Sequence, residues 1–349
     1  MSGAISDVAA LAGVSKATAS RALTGRGYVS AETRERVVQV ATTIGYVASP
    51  IASSLSTGRT LAIGVITSFL NRWYFGEVLE GAESALRARG YDLTLYHLPP
   101  DSSERSRIFD SYLANKRFDG MISIGIEASQ DEIARLVTSP RPLVAIGGNI
   151  RGAHAINIDD QALGREATEH LITLGHTRIA HITGHDAELQ TDTVHGRRLA
   201  GYLAAMEEAG LTSSLHVLPA VHSLPGGYEA AAQLLRDARI RPTAVFASTD
   251  EVAIGIIIAA RRLGITVPAE LSVIGIDGHS YAEMFALTTF EQQPRAQGAR
   301  AVEILLEQLE DTPRSHGTLT DDSRRELAEV QWPTRLVIRQ TTTRPDPIE

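Results

Sequence analysis

Cysteine, lysine and histidine carry much of the catalytic and metal-binding chemistry of proteins. In this sequence their number and spacing offer little for a catalytic or metal-binding site. The 349 residues include no cysteine, which excludes thiolate metal sites, disulfides and thiol nucleophiles. The only lysines are Lys16 and Lys116, so lysine chemistry is nearly excluded as well. Among the 11 histidines, His181 and His185 have the spacing most suggestive of a metal site. They span a strand end and a turn rather than one helix face, so we interpret them as structural. The same interpretation covers their neighbours His170, His176 and His195.

Sequence motifs that build catalytic and phosphate-binding sites are also missing. The chain has no Gly-x-Gly-x-x-Gly fingerprint, no phosphate loop ending in Gly-Lys-Ser/Thr and no Gly-x-Ser-x-Gly elbow. We therefore expect no catalytic residues, no cofactor and no bound metal. The sequence predicts a protein that binds its partners rather than an enzyme.

Positive charge is concentrated at the amino-terminal end of an otherwise acidic chain. Residues 1–60 contain six arginines and lysines against three acidic residues, whereas the whole chain has a net charge of −8. A basic head joined to a large acidic body suggests a DNA-binding domain whose partner domain is repelled by DNA. The length allows two to three domains.

Three short helices are predicted in the basic head. Apolar residues at helical spacing over 5–12 end at Gly13, and Ser15 is placed to cap a second helix from 16 to 23. Ser30 opens a third helix that continues to residue 44. The head is therefore predicted to be a helix, a tight turn and a helix, covered by a third helix.

Beyond residue 60 short β-rich runs alternate with helical stretches of about 12–15 residues. This alternation predicts parallel sheets covered by helices, with too many units for one sheet, and so two doubly wound lobes. A polar stretch at 311–326 is predicted to be an exposed loop. Strands are predicted at 61–66, 92–96, 120–124, 143–146, 155–158, 179–182, 244–247, 272–276 and 335–339. Helices are predicted at 78–89, 105–115, 161–174, 196–209, 227–237, 252–263 and 297–310.

Residues 5–23, Ile-Ser-Asp-Val-Ala-Ala-Leu-Ala-Gly-Val-Ser-Lys-Ala-Thr-Ala-Ser-Arg-Ala-Leu, closely resemble the helix-turn-helix of the lactose-repressor (LacI) family. The resemblance continues through 28–30, 33–37, 44–46 and 52–55, and then covers nearly the whole chain. It implies a small all-α helix-turn-helix domain and an α/β body, like periplasmic binding proteins, of two doubly wound parallel-sheet lobes. It also implies a sequence-specific transcriptional regulator, expected to be a repressor, controlled by a small ligand.

The predicted domains follow from this resemblance. Residues 1–48 form the helix-turn-helix domain, 49–60 the hinge helix and linker, and 61–349 the effector-binding and dimerisation body. The first lobe of the body is predicted at about 61–158 and 289–318, and the second at about 159–288 and 319–349.

The second head helix carries the predicted DNA contacts. Lys16, Ala17 and Arg21 lie where the family has its base-reading residues, and an arginine can bind guanine O6 and N7 together. Hydroxyl groups near the same helix start can bind phosphates, which positions the head without reading sequence. These hydroxyls belong to Ser15, Thr18 and Ser20, and the predicted DNA-binding set is completed by Tyr28 and Ser30.

Residues 49–55 look like the hinge helix of the family, with Ser49 as its N-cap and Pro50 at its first position. So short a helix is unstable alone, so we expect it to fold on DNA beside its twin in a dimer. Leu55 matches the leucine that the family inserts into the minor groove, which implies a near-palindromic operator with a deformable central step. The alternative is that Leu55 is a linker residue. The family's usual asparagine at the start of the hinge is serine here.

The effector site of such a body lies between the carboxyl ends of the strands of both lobes. Trp73 lies in a segment that resembles the family's Asn-Pro-Phe-Phe and could stack on a sugar ring, although lobe packing is the alternative. Arg198 and Asp277 match the family's ligand-binding arginine and aspartate, a donor fork and an acceptor pair that suit vicinal hydroxyls. An interlobe salt bridge is the alternative for this pair. Further effector-binding positions are predicted at Asp160, His222 and Thr249.

The expected effector is a neutral mono- or oligosaccharide, and a nucleobase or nucleoside sensed by the same kind of regulator is the alternative. A non-catalytic cytoplasmic sugar-binding protein is a further alternative. A transporter's solute-binding protein would need a secretion signal, and a sugar-metabolising enzyme would need a catalytic acid or base. We expect a cytoplasmic homodimer with no membrane contact. Whether it forms a tetramer, and whether the ligand releases or tightens operator binding, stays open.

The assignment of the reading helix predicts the effect of Arg21→Ala. The substitution should abolish specific operator binding and leave effector binding unchanged, because a lost bidentate guanine contact costs about 1–3 kcal/mol in each half-site. A mobility-shift assay with operator DNA measures the first property and ligand titration the second. Unchanged operator affinity would contradict the assignment.

Overall fold

The structure is a computed structural model that describes residues 4–24, 27–46, 59–99, 104–114, 118–148, 150, 152–184, 193–311 and 329–345. It divides the chain into two compact units, Met1–Leu61 and Ala62–Glu349. The predicted hinge helix from Ser49 to Leu55 lies outside the described residues.

The first unit contains three helices, α1 (Ile5–Leu11), α2 (Lys16–Thr24) and α3 (Ala31–Thr43). Gly13 has a φ of +65°, a conformation in which glycine pays no steric penalty, and it makes the tight turn between α1 and α2. The Ser15 hydroxyl accepts a hydrogen bond from the Thr18 N–H at 3.1 Å and caps α2. The predicted helix-turn-helix is confirmed.

Small side chains form the core of this unit. Val8, Ala19 and Val37, one from each helix, are fully buried. Short apolar side chains let the helices approach closely, and Arg36 Nε donates to the Ala12 carbonyl at 3.1 Å, which ties α3 to the end of α1. The three helices therefore share one core, and α3 is tied directly to the end of α1.

The second unit contains two six-stranded sheets, as the predicted two-lobed α/β body requires. The sheet of the first lobe has the order β11-β5-β4-β3-β1-β2, and that of the second lobe has the order β12-β10-β9-β8-β6-β7. The strands of the first sheet are β1 (Ala62–Thr67), β2 (Asp92–His97), β3 (Gly120–Ile124), β4 (Leu143–Ile146), β5 (His154–Asn157) and β11 (Glu329–Gln331). Those of the second sheet are β6 (Ile179–Thr183), β7 (His216–Pro219), β8 (Ala244–Ala247), β9 (Ser272–Asp277), β10 (Thr288–Glu291) and β12 (Arg335–Val337). All pairs of neighbouring strands are parallel except β10 and β12.

The helices of this unit cover the sheets, and three pairs of them pack closely: α4 with α11, α7 with α8, and α9 with α10. A short 3₁₀ helix lies at Thr212–Ser214. The helices are α4 (Trp73–Ala88), α5 (Arg105–Ala114), α6 (Gln130–Val137), α7 (Asp160–Thr173), α8 (Val194–Glu208), α9 (Leu224–Leu234), α10 (Asp250–Arg262) and α11 (Pro294–Asp311).

A glycine from each partner allows the close approach in these helix pairs. A Cβ atom on Gly164 of α7 would lie 2.1 Å from the Arg198 carbonyl oxygen of α8, and one on Gly201 of α8 would lie 2.1 Å from the Gln161 carbonyl oxygen of α7. Because the neighbouring atoms are backbone, no rotamer change could make room. The glycines therefore set the distance between α7 and α8.

The lobe boundaries differ from the predicted ones in the carboxyl-terminal part of the chain, where it passes from one sheet to the other. The prediction assigned the chain from residue 289 to the first lobe, but β10 pairs with β9 in the second sheet. Strand β11, placed in the second lobe, pairs with β5 in the first sheet. Strand β12 is in the second sheet, as predicted. The two displaced strands have only three or four residues, so their apolar pattern was too short to assign them to a sheet.

No helix in the described part of the chain is long and apolar enough to span a membrane.

The glycine contacts predict opposite effects for two substitutions on α4. A Cβ on Gly81 would lie 2.0 Å from the Arg295 carbonyl oxygen of α11, so Gly81→Ala should force the helices apart and lower the free energy of unfolding by about 1–3 kcal/mol. A Cβ on Gly76 would meet no neighbouring atom of the described residues within 4 Å. Gly76→Ala should therefore raise the free energy of unfolding by up to about 1 kcal/mol. Urea denaturation of both variants measures the difference, and equal effects would contradict the packing argument.

Candidate functional site

The predicted DNA-reading residues lie on an exposed face of the first unit. Lys16, Ala17 and Arg21 are exposed on α2, and no salt bridge joins Arg21 to an acidic residue of the described segments. Arg21 Nε donates to the Ala17 carbonyl at 3.2 Å, which aligns the side chain along the helix. This leaves cationic side chains at the surface, as binding to a nucleic acid requires.

The remaining predicted DNA contacts divide into capping and exposed residues. Ser15 and Ser30 cap α2 and α3, and their hydroxyls accept hydrogen bonds from backbone N–H groups. Thr18 bonds the Ser15 hydroxyl at 2.9 Å, and Ser20 is half-buried. Tyr28 is 93% exposed, so its aromatic side chain is accessible to a partner. Leu55 lies outside the described residues.

In the second unit, the carboxyl edge of the second sheet brings the predicted effector-binding residues of that lobe together. Asp160 is the first residue of α7, Arg198 lies near the start of α8, and Asp277 is the last residue of β9. His222 follows β7 and Thr249 follows β8. Ligands of doubly wound sheets bind at this edge because loops and helix N-termini converge there.

Arg198 and Asp160 form a buried ion pair rather than an interlobe bridge. Arg198 Nε donates to Asp160 Oδ1 at 2.9 Å, and Arg198 Nη1 donates to the Ser248 carbonyl at 2.5 Å. Both side chains are about 4% exposed. Burial raises the pKa of Asp160, whereas the charge of Arg198 lowers it. The guanidinium is therefore neutralised within the second lobe, where Arg197 adds a longer contact of 3.8 Å to Asp160.

Asp277 is a strained and buried carboxyl group. Its φ is +144°, a conformation that residues with a side chain rarely adopt, and its Oδ1 accepts from Gln292 Nε2 at 2.7 Å. Burial and the charge of Asp250 raise the pKa of Asp277 well above its ordinary value. Burial raises the pKa of Asp250 to about 6, against hydrogen bonds from Thr289 and from the His279 N–H. Burial therefore favours the protonated form of Asp277.

His222 and Thr249 already have partners inside the lobe. The His222 ring stacks on His195 at a centroid distance of 3.6 Å, and its Nδ1 lies 3.2 Å from Ser248 Oγ. The Thr249 hydroxyl accepts from the Val252 N–H at 3.3 Å and caps α10. His222 can thus present a flat ring to a ligand, whereas Thr249 has a structural role at the helix start.

The first lobe contributes Trp73 and Tyr74 at the start of α4. The backbone N–H of Trp73 donates to Glu251 Oε2 at 3.3 Å, and the indole ring of Trp73 lies 4.7 Å from the His279 ring. Both contacts reach the second lobe. The indole Nε1 of Trp73 is buried and has no hydrogen-bond partner in the described segments. Burial, with the charges of Asp277 and Asp160, raises the pKa of Tyr74.

Several residues of this cluster were not predicted. Tyr74 donates to Gln297 Oε1 at 2.9 Å, and Gln297 Nε2 donates to the Gln292 carbonyl at 2.6 Å. Ser248 accepts from Arg198 through its carbonyl. Polar residues directly after a buried strand were the available signal for Ser248 and Gln292, because those positions mark the carboxyl edge. No group of three or more metal-ligating side chains occurs in the described part of the chain.

Comparison with known proteins assigns both units to one family. Residues 4–49 match the family of bacterial regulatory proteins described as the lacI family, and residues 168–342 match a periplasmic binding protein-like domain. The HTH-type transcriptional repressor PurR of Vibrio vulnificus (strain CMCP6) is 33% identical over 317 residues, which cover 88% of this chain and 92% of PurR. The chain belongs to the LacI family.

Solved structures of LacI-family regulators share the fold. The crystal structure of the Lac repressor dimer bound to operator and the anti-inducer ONPF has a TM-score of 0.82 at 25% identity and covers 98% of this chain and 100% of its own. The complex of the transcriptional regulator CelR with cellobiose has a TM-score of 0.66 at 26% identity and covers 97% and 99%. This LacI-family member is a DNA-binding transcriptional regulator, and the family resemblance and fold predicted from the sequence are confirmed.

The raised pKa of Asp277 predicts how this LacI-family regulator responds to pH. Because the folded state keeps a proton that the unfolded chain releases, stability should fall as pH rises from about 4, and Asp277→Asn should remove this loss. The variant should have the higher thermal midpoint at pH 7, and the difference should shrink toward pH 4.

The matched control is Asp237→Asn. Asp237 is a surface acid whose pKa Arg239 lowers, so its variant should gain no stability at pH 7. Parallel pH profiles of the Asp277 variant and the unmodified protein would contradict the assignment of a buried neutral carboxyl group.

Proposed function

We propose that this LacI-family regulator is a repressor that binds its operator through α2 and is controlled by a neutral, polyhydroxylated effector, a sugar, held between the two lobes of its body. The observation that carries the proposal is the internal compensation of charge at the carboxyl edge of the second sheet. Arg198 and Asp160, whose side chains are both about 4% exposed, neutralise each other before any ligand arrives.

Arg198 and His195 offer no surplus positive charge at the candidate site. Arg198 is paired with Asp160 and bonded to the Ser248 carbonyl. Burial lowers the pKa of His195 well below its ordinary value, so this ring is neutral as well. A phosphorylated or carboxylated ligand needs surplus donors and positive charge, and none of these groups offers it. A neutral ligand meets no such penalty.

Directional donors and acceptors are available for hydroxyl groups. The indole N–H of Trp73 is a donor, Asp277 in its protonated form can donate one hydrogen bond and accept others, and the ring of His222 has a flat face. Sugars combine hydroxyls with apolar ring faces, which suits this set. The cellobiose complex of CelR provides a related body that holds a sugar.

A nucleobase is the second candidate effector. It is favoured by the flat rings at the site, because His222 stacks on His195 and Trp73 lies against His279. A planar heterocycle could extend either stack. Its N–H and carbonyl groups are also neutral, so the charge balance does not exclude it.

A homodimer is the proposed DNA-binding form. Met284 is 79% exposed and Tyr281 52% exposed, and two such large side chains close in sequence favour burial against a partner surface. The Lac repressor that shares this fold is a dimer on its operator. Effector and operator affinities are then coupled, since a ligand that binds one conformation of the body better shifts the population toward it.

The proposal predicts a specific fluorescence response. The chain has two tryptophans, Trp73 at the candidate site and Trp332 packed against the core of the first lobe. Titration with glucose, ribose, maltose and cellobiose should include a sugar that changes the emission, and Trp73→Phe should remove the change while calorimetry still detects binding. The same sugar should alter operator affinity in a mobility-shift assay.

Trp332→Phe is the matched control and should keep the response. A response that follows Trp332 would place the ligand elsewhere. A response to hypoxanthine, guanine or adenosine with none to the sugars would replace the sugar by the nucleobase and leave the repressor proposal in place.

A further inference from the structure

Five buried polar side-chain atoms of the second lobe have no hydrogen-bond partner among the described residues. Two are the Nε atoms of Arg178 and Arg197, and the other three are Nε2 of His181, Oγ1 of Thr183 and Nδ1 of His195. The side chains of His181 and Thr183 are fully buried. Buried polar groups of folded proteins are nearly always hydrogen-bonded. The unpartnered histidine and threonine atoms therefore indicate that a bound molecule supplies the missing bonds.

The unpartnered atoms of β6 lie on one face of the sheet. His181 and Thr183 are two residues apart, so their side chains project to the same side. There the His181 ring stacks on Phe246 at 4.3 Å and lies 5.3 Å from the Tyr202 ring of α8. Thr183 is the last residue of the strand, next to the carboxyl edge.

The same atoms border the candidate effector site. His195 stacks on His222, which in turn bonds Ser248 Oγ. His195 and Tyr202 are seven residues apart on α8 and lie on the same side of the helix, and the Tyr202 ring lies 5.3 Å from the His181 ring. The unpartnered atoms thus form the inner end of that site in the second lobe.

The protonation state of His181 follows from its partners. Its Nδ1 lies 2.9 Å from the Phe246 carbonyl, which can only accept, so Nδ1 carries the proton. Burial lowers the pKa of His181 to about 3, so the ring is neutral and Nε2 is an acceptor. The missing partner of Nε2 must therefore be a donor. The Thr183 hydroxyl can donate and accept.

Buried histidines of this lobe are not unpartnered in general. His176 is buried as well, and both of its ring nitrogens have partners: Nδ1 lies 2.9 Å from Thr243 Oγ1, and Nε2 lies 2.9 Å from the Thr343 carbonyl and 3.1 Å from Ser272 Oγ. A histidine whose role is structural thus has a complete set of bonds here. His181 differs, and the difference indicates a ligand.

We propose that His181, Thr183 and His195 form a specificity subsite that binds one hydroxyl group of the effector. The hydroxyl donates to His181 Nε2 and exchanges hydrogen bonds with Thr183 Oγ1, and His195 Nδ1 completes its shell. The subsite rests on the proposed function, since it is the inner end of the same site. It selects a ligand with a donor at this end and rejects one that presents only acceptors, such as a carboxylate, a phosphate or an ether.

Paired titrations of the unmodified protein and of His181→Leu test the subsite. Calorimetry with glucose, galactose, ribose and cellobiose, and with the monodeoxy analogues of the first three, gives the affinities. The substitution should weaken binding of the hydroxylated sugar at least tenfold. One deoxy analogue should bind both proteins equally and weakly, since it lacks the hydroxyl that reaches Nε2. Thr183→Val should weaken binding of the same hydroxylated sugar, and not of its deoxy analogue, by a smaller factor than His181→Leu does.

The stability of the variants separates binding from folding. His181→Leu removes an unpartnered polar atom and one hydrogen bond, the bond to the Phe246 carbonyl. Without ligand, its thermal midpoint should therefore fall by no more than the loss of one hydrogen bond causes. The matched control is His176→Leu, which loses bonds to Thr243, Thr343 and Ser272. It should lower the midpoint and leave sugar affinity and deoxy selectivity unchanged.

The outcomes distinguish this proposal from the proposed function. A sugar that binds the unmodified protein and His181→Leu with equal affinity overturns the subsite alone, because a water molecule then satisfies these atoms. If adenosine binds and no sugar does, the sugar assignment fails, and the subsite stands only if the affinity for adenosine falls at least tenfold in His181→Leu. Binding of hypoxanthine or guanine alone, neither of which has a hydroxyl group, overturns both the sugar assignment and the subsite. Absence of binding by every member of both panels overturns both proposals.

Discussion

The carboxyl edge of the second lobe depends on the buried ion pair between Arg198 and Asp160. A charge buried alone would cost several kcal/mol, so each member requires the other, and the first turns of α7 and α8 must hold them in contact. The close approach that Gly164 and Gly201 permit makes this contact possible. The same guanidinium bonds the Ser248 carbonyl and fixes the end of β8. Because the pair uses up its own charge, neither of its members offers a net charge to a ligand.

The long elements of the fold could be predicted from the sequence, and several of the short ones could not. Helices such as α8 and α10 have apolar residues at helical spacing over 13–15 residues, which outweighs local ambiguity. Strands β7 and β11 have three or four residues at a sheet edge, and their half-exposed side chains leave no apolar run. Pairing with a distant strand creates such elements. Their lobe assignment is therefore a tertiary property, which no local pattern contains.

The candidate site was predicted in part, and the division has a physical basis. Arg198, Asp160 and Asp277 were found because a polar residue at a helix start or a strand end stands out from its surroundings and matches the family. That Arg198 pairs with Asp160 rather than facing Asp277 depends on helix packing, which spacing alone does not encode. The sequence indicates only a structural role for His181, and its tautomer follows from the position of the Phe246 carbonyl. The available signal was the pair of polar residues, His181 and Thr183, at alternate positions of a strand that is otherwise apolar.

The path of the chain between the lobes restricts how such a protein can be recombined. Between β5 and α7, between β10 and α11, and between β11 and β12 the chain crosses from one sheet to the other, so each lobe is assembled from separate stretches of sequence. A contiguous gene fragment can encode the first unit, which ends at Leu61, or the whole body, but no single fragment encodes one complete lobe. Recombination can therefore exchange operator recognition as a module in one event. Ligand preference, in contrast, changes either with the whole body or residue by residue, because neither lobe can be exchanged without the other.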